Sequence, residues 1–554
     1  MLRKFVFTFV ACAALGALLL LSPRSARADS VITNCSNDSQ LTAALASGGT
    51  ITFNCGAATI LFSGYKVINT ATTIDGGGKI TFNGGNSTRF FVVGTGQSLT
   101  LNNLVLTNGY SGGSYGGAIF MNAATLTLNN TTIQNSQTNG YSGGAIFAFG
   151  GNIVLNDSII QGNTATYGAI NTTGYLTLNR SIVRNNTATY SGGGLSVGGV
   201  VQIQDSKVES NKALQPNVLE SGGGGIYTTP GSLVSLIRSS VSNNTSTRSG
   251  GGLVVQGTVT MTEVTISDNN GYGPGGIYNK GTITLNRVTI SGNNATNGGL
   301  GGGIFNNGTA TLTNVTISNN PTGGGFYNVG PASMTNVTVV NNGAIGGVLG
   351  RLDTLTLKNT VIAGNDDVNC DTFGGSIVSS GFNLSDDSSC TAYLNMGTDK
   401  NNVNALLGPL SFNGSTTQSH LLLHGSPAID AGTSSGAPTI DQRSNVRPQG
   451  LAIDMGATEV CTVKPDKPYL ALPGNNSKIK GLQVALDWYD APCADKYKIT
   501  VKDAAAGLKV QGGKSGTSDF KTKALTKGKS YLWFVQACNT IGCTKSDTWK
   551  FTVK

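Results

Sequence analysis

Residues able to do acid–base or metal chemistry are few in this chain. Among 554 residues only 11% are charged, and the only histidines are His420 and His424. Both lie beyond the repeats, which disfavours a histidine-assisted hydrolase, since His is the commonest general acid or base near neutral pH. Glycoside hydrolysis needs two carboxyls facing one bond. Lyase chemistry needs a base beside an acidic sugar, often with Ca²⁺ held by carboxylates. The repeat region has one adjacent acidic pair, Asp366-Asp367, which reads as a solvated turn. Asp430, Asp441, Asp454 and Glu459 carry oxygens of the kind Ca²⁺ takes. They are read instead as buried hydrogen-bond partners of Arg443 and Arg447. The cysteines show no CxxC spacing and no nearby His, so no zinc site follows. No catalytic residue, metal or other cofactor is assigned.

Two recurring columns hold more information. Asp157, Arg180, Asp205, Arg238, Glu263 and Arg287 alternate in sign at spacings of 23, 25, 33, 25 and 24 residues. Stacked in register, each charge meets an opposite neighbour. Such exposed pairs are worth ~0.2–1 kcal/mol each, and a slipped register would set like charges together. Tyr115, Tyr141, Tyr167 and Tyr190 recur at spacings of 26, 26 and 23 in Tyr-Gly or Tyr-Ser-Gly contexts at the glycine turns, with Tyr110 and Tyr272 in similar contexts. A second aromatic column, Phe120, Phe147, Tyr227, Tyr278, Phe305 and Tyr327, faces outward if Ile119 and its equivalents face inward. Tyrosine combines an apolar face with a polar tip, which suits sugar rings. A row of such rings predicts an extended glycan along the turns from residue 110 to 190; the alternative is a self-stacking turn ladder worth ~0.5–1.5 kcal/mol per pair.

The elements that must position these columns are short strands. In residues 275–293, Ile283, Leu285, Val288 and Ile290 alternate with Thr284 and Thr289, the period of a half-buried strand. Relatives of this stretch recur from about residue 99 to residue 365. A marker residue just before the second strand of each unit runs Asn103, Asn130, through the charged column, to Asn314, Asn336 and Asn359. Six residues later an Asn column runs from Asn163 to Asn365. A period of mostly 22–27 residues with Gly- or Asn-marked turns implies a parallel β-helix whose rungs stack about 4.8 Å apart. Asn tolerates left-handed backbone, so the Asn column is expected at turns, with side chains hydrogen-bonding along the axis. Residues 38–46, followed by Gly48-Gly49, read as a short amphipathic helix with Asp38 at its start. It is expected to cap the open end of the solenoid within residues 29 to about 65.

Residues 1–28 read as a secretory signal peptide: Arg3 and Lys4, an apolar run from Phe5 to Leu21, then Ala26-Arg27-Ala28. No later run approaches a spanning helix of ~20 apolar residues. Setting Cys12 aside leaves eight cysteines, Cys35, Cys55, Cys370, Cys390, Cys461, Cys493, Cys538 and Cys543, and an exported chain of this kind is expected to form four disulfides. Cys35 with Cys55 and Cys370 with Cys390 form local groups; the other four cluster at the C-terminus. Residues 461–554 hold 16 Lys against 7 Asp, a solvated lysine coat rather than a nucleic-acid surface. There, strands through Val484–Trp488, Tyr497–Val501, Ser530–Ala537 and Trp549–Val553 alternate and imply an antiparallel sandwich.

The Gly-Gly-Ala-Ile-Phe segment at 116–120 and Gly-Gly-Gly-Ile-Phe-Asn-Asn at 301–307 resemble repeats of the chlamydial polymorphic outer-membrane proteins and of other bacterial secreted right-handed parallel β-helix proteins. Ser426-Pro427-Ala428-Ile429-Asp430-Ala431-Gly432, Asp441-Gln442-Arg443, Arg447-Pro448-Gln449-Gly450 and Asp454-Met455-Gly456-Ala457 resemble the closing segment of choice-of-anchor Q domain proteins. The resemblance covers about residues 31–460 and implies an exported protein whose helix is closed by that segment. The chlamydial C-terminal membrane barrel has no counterpart here, so self-secretion is not carried over. The C-terminal part resembles a fibronectin type III module; that topology favours Cys538 with Cys543 and Cys461 with Cys493 over the other pairings.

The reading is an all-β chain: signal peptide 1–28, right-handed parallel β-helix with cap and closing segment 29–460, linker 461–467, and a fibronectin type III-like β-sandwich 468–554. The expected function is a secreted or cell-surface, adhesin-like protein binding a polysaccharide or cell-wall glycan, with Tyr115, Tyr141, Tyr167 and Tyr190 as ligand-binding residues. The alternative is a polysaccharide lyase or glycoside hydrolase of the pectin-lyase-like fold.

Overall fold

The computed structural model describes residues 29–214 and 222–554. The signal-peptide reading and Cys12 lie outside them. The chain is an all-β parallel solenoid of about 14 turns with a single helix among the described residues. One rung shows how it is built. Ile277–Asn279, Thr282–Asn286 and Thr289–Ser291 pair in parallel with Ile304–Asn306, Thr309–Thr313 and Thr316–Ser318 of the next rung. Ile277, Leu285 and Ile290 stack on Ile304, Leu312 and Ile317, and all six are fully buried. Each such side chain contributes ~1.5–3 kcal/mol by leaving water. Repetition yields a 13-stranded sheet on one flank, a bent 27-stranded sheet holding two strands per rung, and a short 8-stranded sheet completing the circuit.

The marker residue forms the bend inside the 27-stranded sheet. From Asn103 to Asn359 every member has φ between 44° and 56°. For the Arg and Glu members this left-handed backbone costs ~1–2 kcal/mol each, a cost that Gly, Asn and Asp largely avoid. The Asn column forms the expected axial hydrogen-bond ladder, but it is not the left-handed residue of the turn. Asn163, Asn186, Asn211, Asn244, Asn269, Asn293, Asn320 and Asn342 are fully buried. It is the preceding residue, such as Asn185, Asn243 or Asn319, that is left-handed. Each buried Asn donates its Nδ2 to the next Asn Oδ1 at 2.8–3.1 Å and also to a backbone carbonyl. Its Oδ1 accepts a second bond from a backbone N–H. Inside the solenoid a fully satisfied amide is a requirement rather than a turn preference.

At the N-terminal end the helix Ser39–Ser47 buries Leu41, Ala44 and Leu45, and Cys35 is bonded to Cys55. Asp38 does not cap this helix. Its carboxylate instead takes Ser63 N–H at 2.9 Å and Lys66 at 2.7 Å, while Asn37 Oδ1 accepts the Ser39 N–H. At the other end Cys390 and Leu394 enter the core beside the Cys370–Cys390 bond. The segment expected to close the end lies elsewhere. Residues 426–457 run back along the outer side of the solenoid, bonding Val288, Asn314, Thr316, Asn336, Thr338 and Asn359. Both kinds of contact hold it there: Thr289, Thr316 and Thr338 take polar partners from the segment, while Ala428 and Met455 pack on Val340, Val361, Ala363 and Leu384 near the last rungs.

Residues 470–553 form a three-stranded antiparallel sheet and a larger, mostly antiparallel sheet around one core that includes Trp488, Tyr497, Trp533 and Phe551. Cys461 is bonded to Cys493 and Cys538 to Cys543. Residues 461–467 are tied down rather than loose: Thr462 Oγ1 donates to Gln449 O, Asp466 N–H to Pro492 O, and Lys467 pairs with Asp547. Further contacts dock the C-terminal sheets on the preceding segment. Arg443 meets Asp495 at 2.8 Å, Cys493 N–H donates to Asn445 Oδ1, and Tyr497 O–H donates to Gly414 O. Among the described residues no helix is long and apolar enough to cross a membrane.

Candidate functional site

Three clusters outside the apolar core carry chemistry. The first lies on the 13-stranded flank. Ile119, Ile146 and Ile277 point inward with no exposure, so the alternate residues point outward. Strand pairing places Phe120 on Phe147, and Tyr278, Phe305 and Tyr327 in succession. Their rings lie 6.0 Å apart at 1°, 5.4 Å at 90° and 4.8 Å at 21°. Cations sit beside them: Arg89 by Phe120, Lys280 by Tyr278, and Arg351 donating to the Tyr327 hydroxyl at 2.7 Å.

The tyrosine column folds over the same flank, divided in two. Tyr115 meets Tyr141 at 5.2 Å and Tyr167 meets Tyr190 at 5.0 Å; among the described residues no ring contact joins Tyr141 to Tyr167. The strand register shifts between the rungs of Tyr167 and Tyr190, whose rings nevertheless touch. Tyr115 also stacks on Phe147 at 4.3 Å and meets Phe149 edge-on at 5.8 Å. Burial, then the neighbouring Tyr190 and Tyr227, holds the Tyr167 phenol above its ordinary range. Tyr141 and Phe149 form the open rim, 36% and 46% exposed. Phe149 escapes the sequence reading. Its signal is strand parity, two residues beyond the outward Phe147. Tyr175, with Val200 and Leu233 stacked behind it, was also missed and forms an exposed apolar stripe on the adjoining sheet.

The second cluster is the charged column. Its six members bond as three two-rung pairs rather than as a continuous row: Arg180 with Asp157 at 2.7 Å, Arg238 with Asp205 at 2.8 Å, and Arg287 with Glu263 at 2.5 Å. Hydrogen bonds from Arg180 hold the Asp157 carboxyl below its usual range, and the charge of Asp205 further supports Arg180 across the gap between pairs. Exposure falls along the column as the C-terminal sheets approach. There Asp205, Lys207, Arg238 and Glu263 face Phe412 and Asp519 across a cleft of roughly 500 Å³. Asp490, packed nearby, has a buried Oδ1 with no hydrogen-bond partner. Burial first, then Glu263, Asp487 and Asp519, push its carboxyl up to about 6.

The third cluster is buried in residues 426–460. Each oxygen of Asp441, Asp454 and Glu459 accepts a backbone N–H, from Arg443, Glu459, Asp430, Val460, Gln449 or Asp454. Arg447 bonds Glu459 at 2.8 Å, and Arg443 lies 3.5 Å from Asp441. Asp430 stands apart, accepting Ala452 N–H. Burial, then the Glu459 charge, pushes Asp454 up to about 7. With these oxygens engaged the group works as a clamp, and among the described residues no set of three His, Cys, Asp or Glu is placed to hold a metal ion. His420 sits beside it, its Nε2 at 2.9 Å from Ser318 Oγ and its Nδ1 at 2.6 Å from Gly408 O. Both residues are buried, so this pair is out of reach of a substrate. Asp366 and Asp367 lie at a turn, where Asp367 accepts Ile345 N–H.

No family model matches the chain, and no curated protein matches it. The resemblance of residues 31–460 to the β-helix and choice-of-anchor Q families therefore rests on the quoted motifs. Two solved structures, "Structure of FN3tt mut" and "Crystal Structure of FN3tt", are similar over 17% and 16% of this chain and 100% and 98% of theirs, at 18% and 14% identity and a TM-score of 0.13 each. That score carries no argument about function.

Proposed function

We propose that this is an exported surface protein of the adhesin-like kind, a β-helix over residues 29–460 carrying a fibronectin type III-like sandwich, and that it binds an extended glycan along its aromatic flank. The observation that supports the reading is the clustering of aromatic rings on one flank, Tyr115, Tyr141, Phe120, Phe147 and Phe149 together and Tyr278, Phe305 and Tyr327 further along, open at Tyr141 and Phe149. Rings that present a face and a polar edge at a regular spacing suit a polymer of sugar rings. The four disulfides fit an oxidising, extracellular setting. The test is affinity electrophoresis of the full chain through gels containing neutral polysaccharides. Tyr141→Ala with Phe149→Ala should abolish the retardation while the far-ultraviolet signal stays intact; unchanged retardation would leave these rings as structure only.

A polysaccharide lyase or hydrolase is the second reading, favoured by the cleft where Asp205, Glu263, Asp519, Lys207 and Arg238 converge. Incubation with acidic polysaccharides distinguishes the two. New ultraviolet absorbance or reducing ends, lost on Glu263→Gln, would replace the binding reading with the enzymatic one.

A further inference from the structure

The C-terminal sheets divide their charges between two sides. Asp487 and Asp519 are on the three-stranded sheet, and Asp519 lines the cleft against the solenoid. Asp495 is held by Arg443 of the preceding segment. The lysines gather on the outer face of the larger sheet. Buried Tyr497, Ile499 and Val501 alternate with Lys496, Lys498 and Lys502, which therefore face outward. Cross-strand pairing then builds two rows. Lys514, Lys498, Gln536 and Lys545 are successive partners in one; Lys509, Lys502, Leu532 and Lys550 are successive partners in the other. Four residues separate the rows along the strand, about 13 Å. Between them lies Phe534, with Lys545 Nζ 3.9 Å from its ring centre.

This arrangement costs stability. Lys498 faces Lys514 and Lys502 faces Lys509 directly across strands, and like charges so placed repel. None of the lysines in these rows forms an ion pair among the described residues; the pairs made by these sheets use Lys467 and Lys529 instead. An extended polyanion would relieve the repulsion. The cation type narrows its chemistry: residues 461–554 contain 16 Lys and no Arg. Arg, with its planar bidentate fork, is the residue of choice for nucleic-acid recognition; a face of Lys alone offers hydrated point charges without a fixed geometry, which single charges spaced along a polymer, as in a carboxylated glycan, satisfy. We propose that this lysine face is a second binding surface, separate from the aromatic flank, and that its ligand is a carboxylated polysaccharide.

The test is retention of the full chain on immobilised polygalacturonate under a salt gradient, with neutral dextran and duplex DNA as parallel supports. Lys498→Glu, Lys514→Glu and Lys545→Glu together should weaken binding to polygalacturonate by at least about tenfold, since each removes a charge contact and adds a repulsion. Lys480→Glu, Lys523→Glu and Lys527→Glu change the net charge equally outside the two rows and should retain nearly full binding. Tyr141→Ala with Phe149→Ala should not alter the salt at which polygalacturonate releases the chain, which separates this surface from the aromatic one. Equal losses in the two lysine variants, or unchanged retention of the first, would overturn the proposal. So would tighter retention on duplex DNA than on polygalacturonate.

Discussion

Asp490→Asn is expected to stabilise the protein near neutral pH. The carboxyl is buried, its Oδ1 has no donor, and Glu263, Asp487 and Asp519 are like charges nearby. Arg238 and Arg287 do not relieve it, because each is bonded to its own carboxylate. A rise from 3.8 to about 6 is roughly two units, or at most ~3 kcal/mol of penalty on the charged form. The sign follows from proton binding. Between those two values the folded state holds more protons than the unfolded state, so wild-type stability falls as pH rises through this window and stays lower above it. Asn keeps an acceptor for Ser518 and supplies a donor toward the surrounding carboxylates. Urea unfolding followed by tryptophan fluorescence reports on it directly, since Trp488 and Trp533 belong to the adjoining core. The variant should gain up to ~3 kcal/mol at about pH 8, with the gain vanishing near pH 4. A gain independent of pH, or a loss at about pH 8, would refute the reasoning.

Asn244→Ala should cost ~2–6 kcal/mol in urea unfolding, because the Asn211 backbone N–H and side-chain amide both lose their acceptor inside the solenoid. Arg238→Asp should lower the melting temperature by placing an acid between Asp205 and Glu263. Adding Asp205→Arg should restore only part of it, since Arg180 and Glu263 then meet like charges; each exposed pair is worth no more than ~1 kcal/mol. Burial lowers the His420 pKa from 6.5, so the folded state binds fewer protons than the unfolded state and stability falls as pH drops through 6.5. His420→Gln should flatten that part of the melting-temperature profile, and a slope equal to wild type would contradict it.

Much of the solenoid is legible because its rules are local. Alternation at Ile283, Leu285, Val288 and Ile290 specifies an inward face, and the recurrence of the marker residue specifies which residues stack. Register then follows, and with it the opposition of charges at Asp205 and Arg238. What the sequence hides is long-range. Nothing in Ser426–Ala457 says which surface it will cover, because its mixture of polar groups and apolar side chains such as Ala428 and Met455 fits an open end as readily as a flank of Thr and Val. The burial of Thr289 and Thr316, the meeting of His420 with Ser318, and the cleft at Glu263 all depend on that choice. The turn geometry was misassigned by one residue because Asn serves two purposes here. It adopts left-handed backbone at Asn185 and Asn243, and it carries a buried amide ladder at Asn186 and Asn244. The aromatic column was visible as spacing, but spacing does not encode which neighbouring rings touch: Tyr115 meets Tyr141 and Tyr167 meets Tyr190, with no ring contact between the two pairs among the described residues.

The most direct test of the binding reading is hydroxyl-radical footprinting of the full chain with and without a retained polysaccharide. Side-chain oxidation maps where the polymer lies at the level of single residues. The account expects Tyr141, Phe149 and Tyr190 to be protected together while exposed rings on other surfaces, such as Phe373 and Tyr469, oxidise unchanged. Protection confined to the cleft beside Glu263 and Asp519, or an unaltered footprint at Tyr141 and Phe149 under conditions where the polysaccharide is bound, would contradict it.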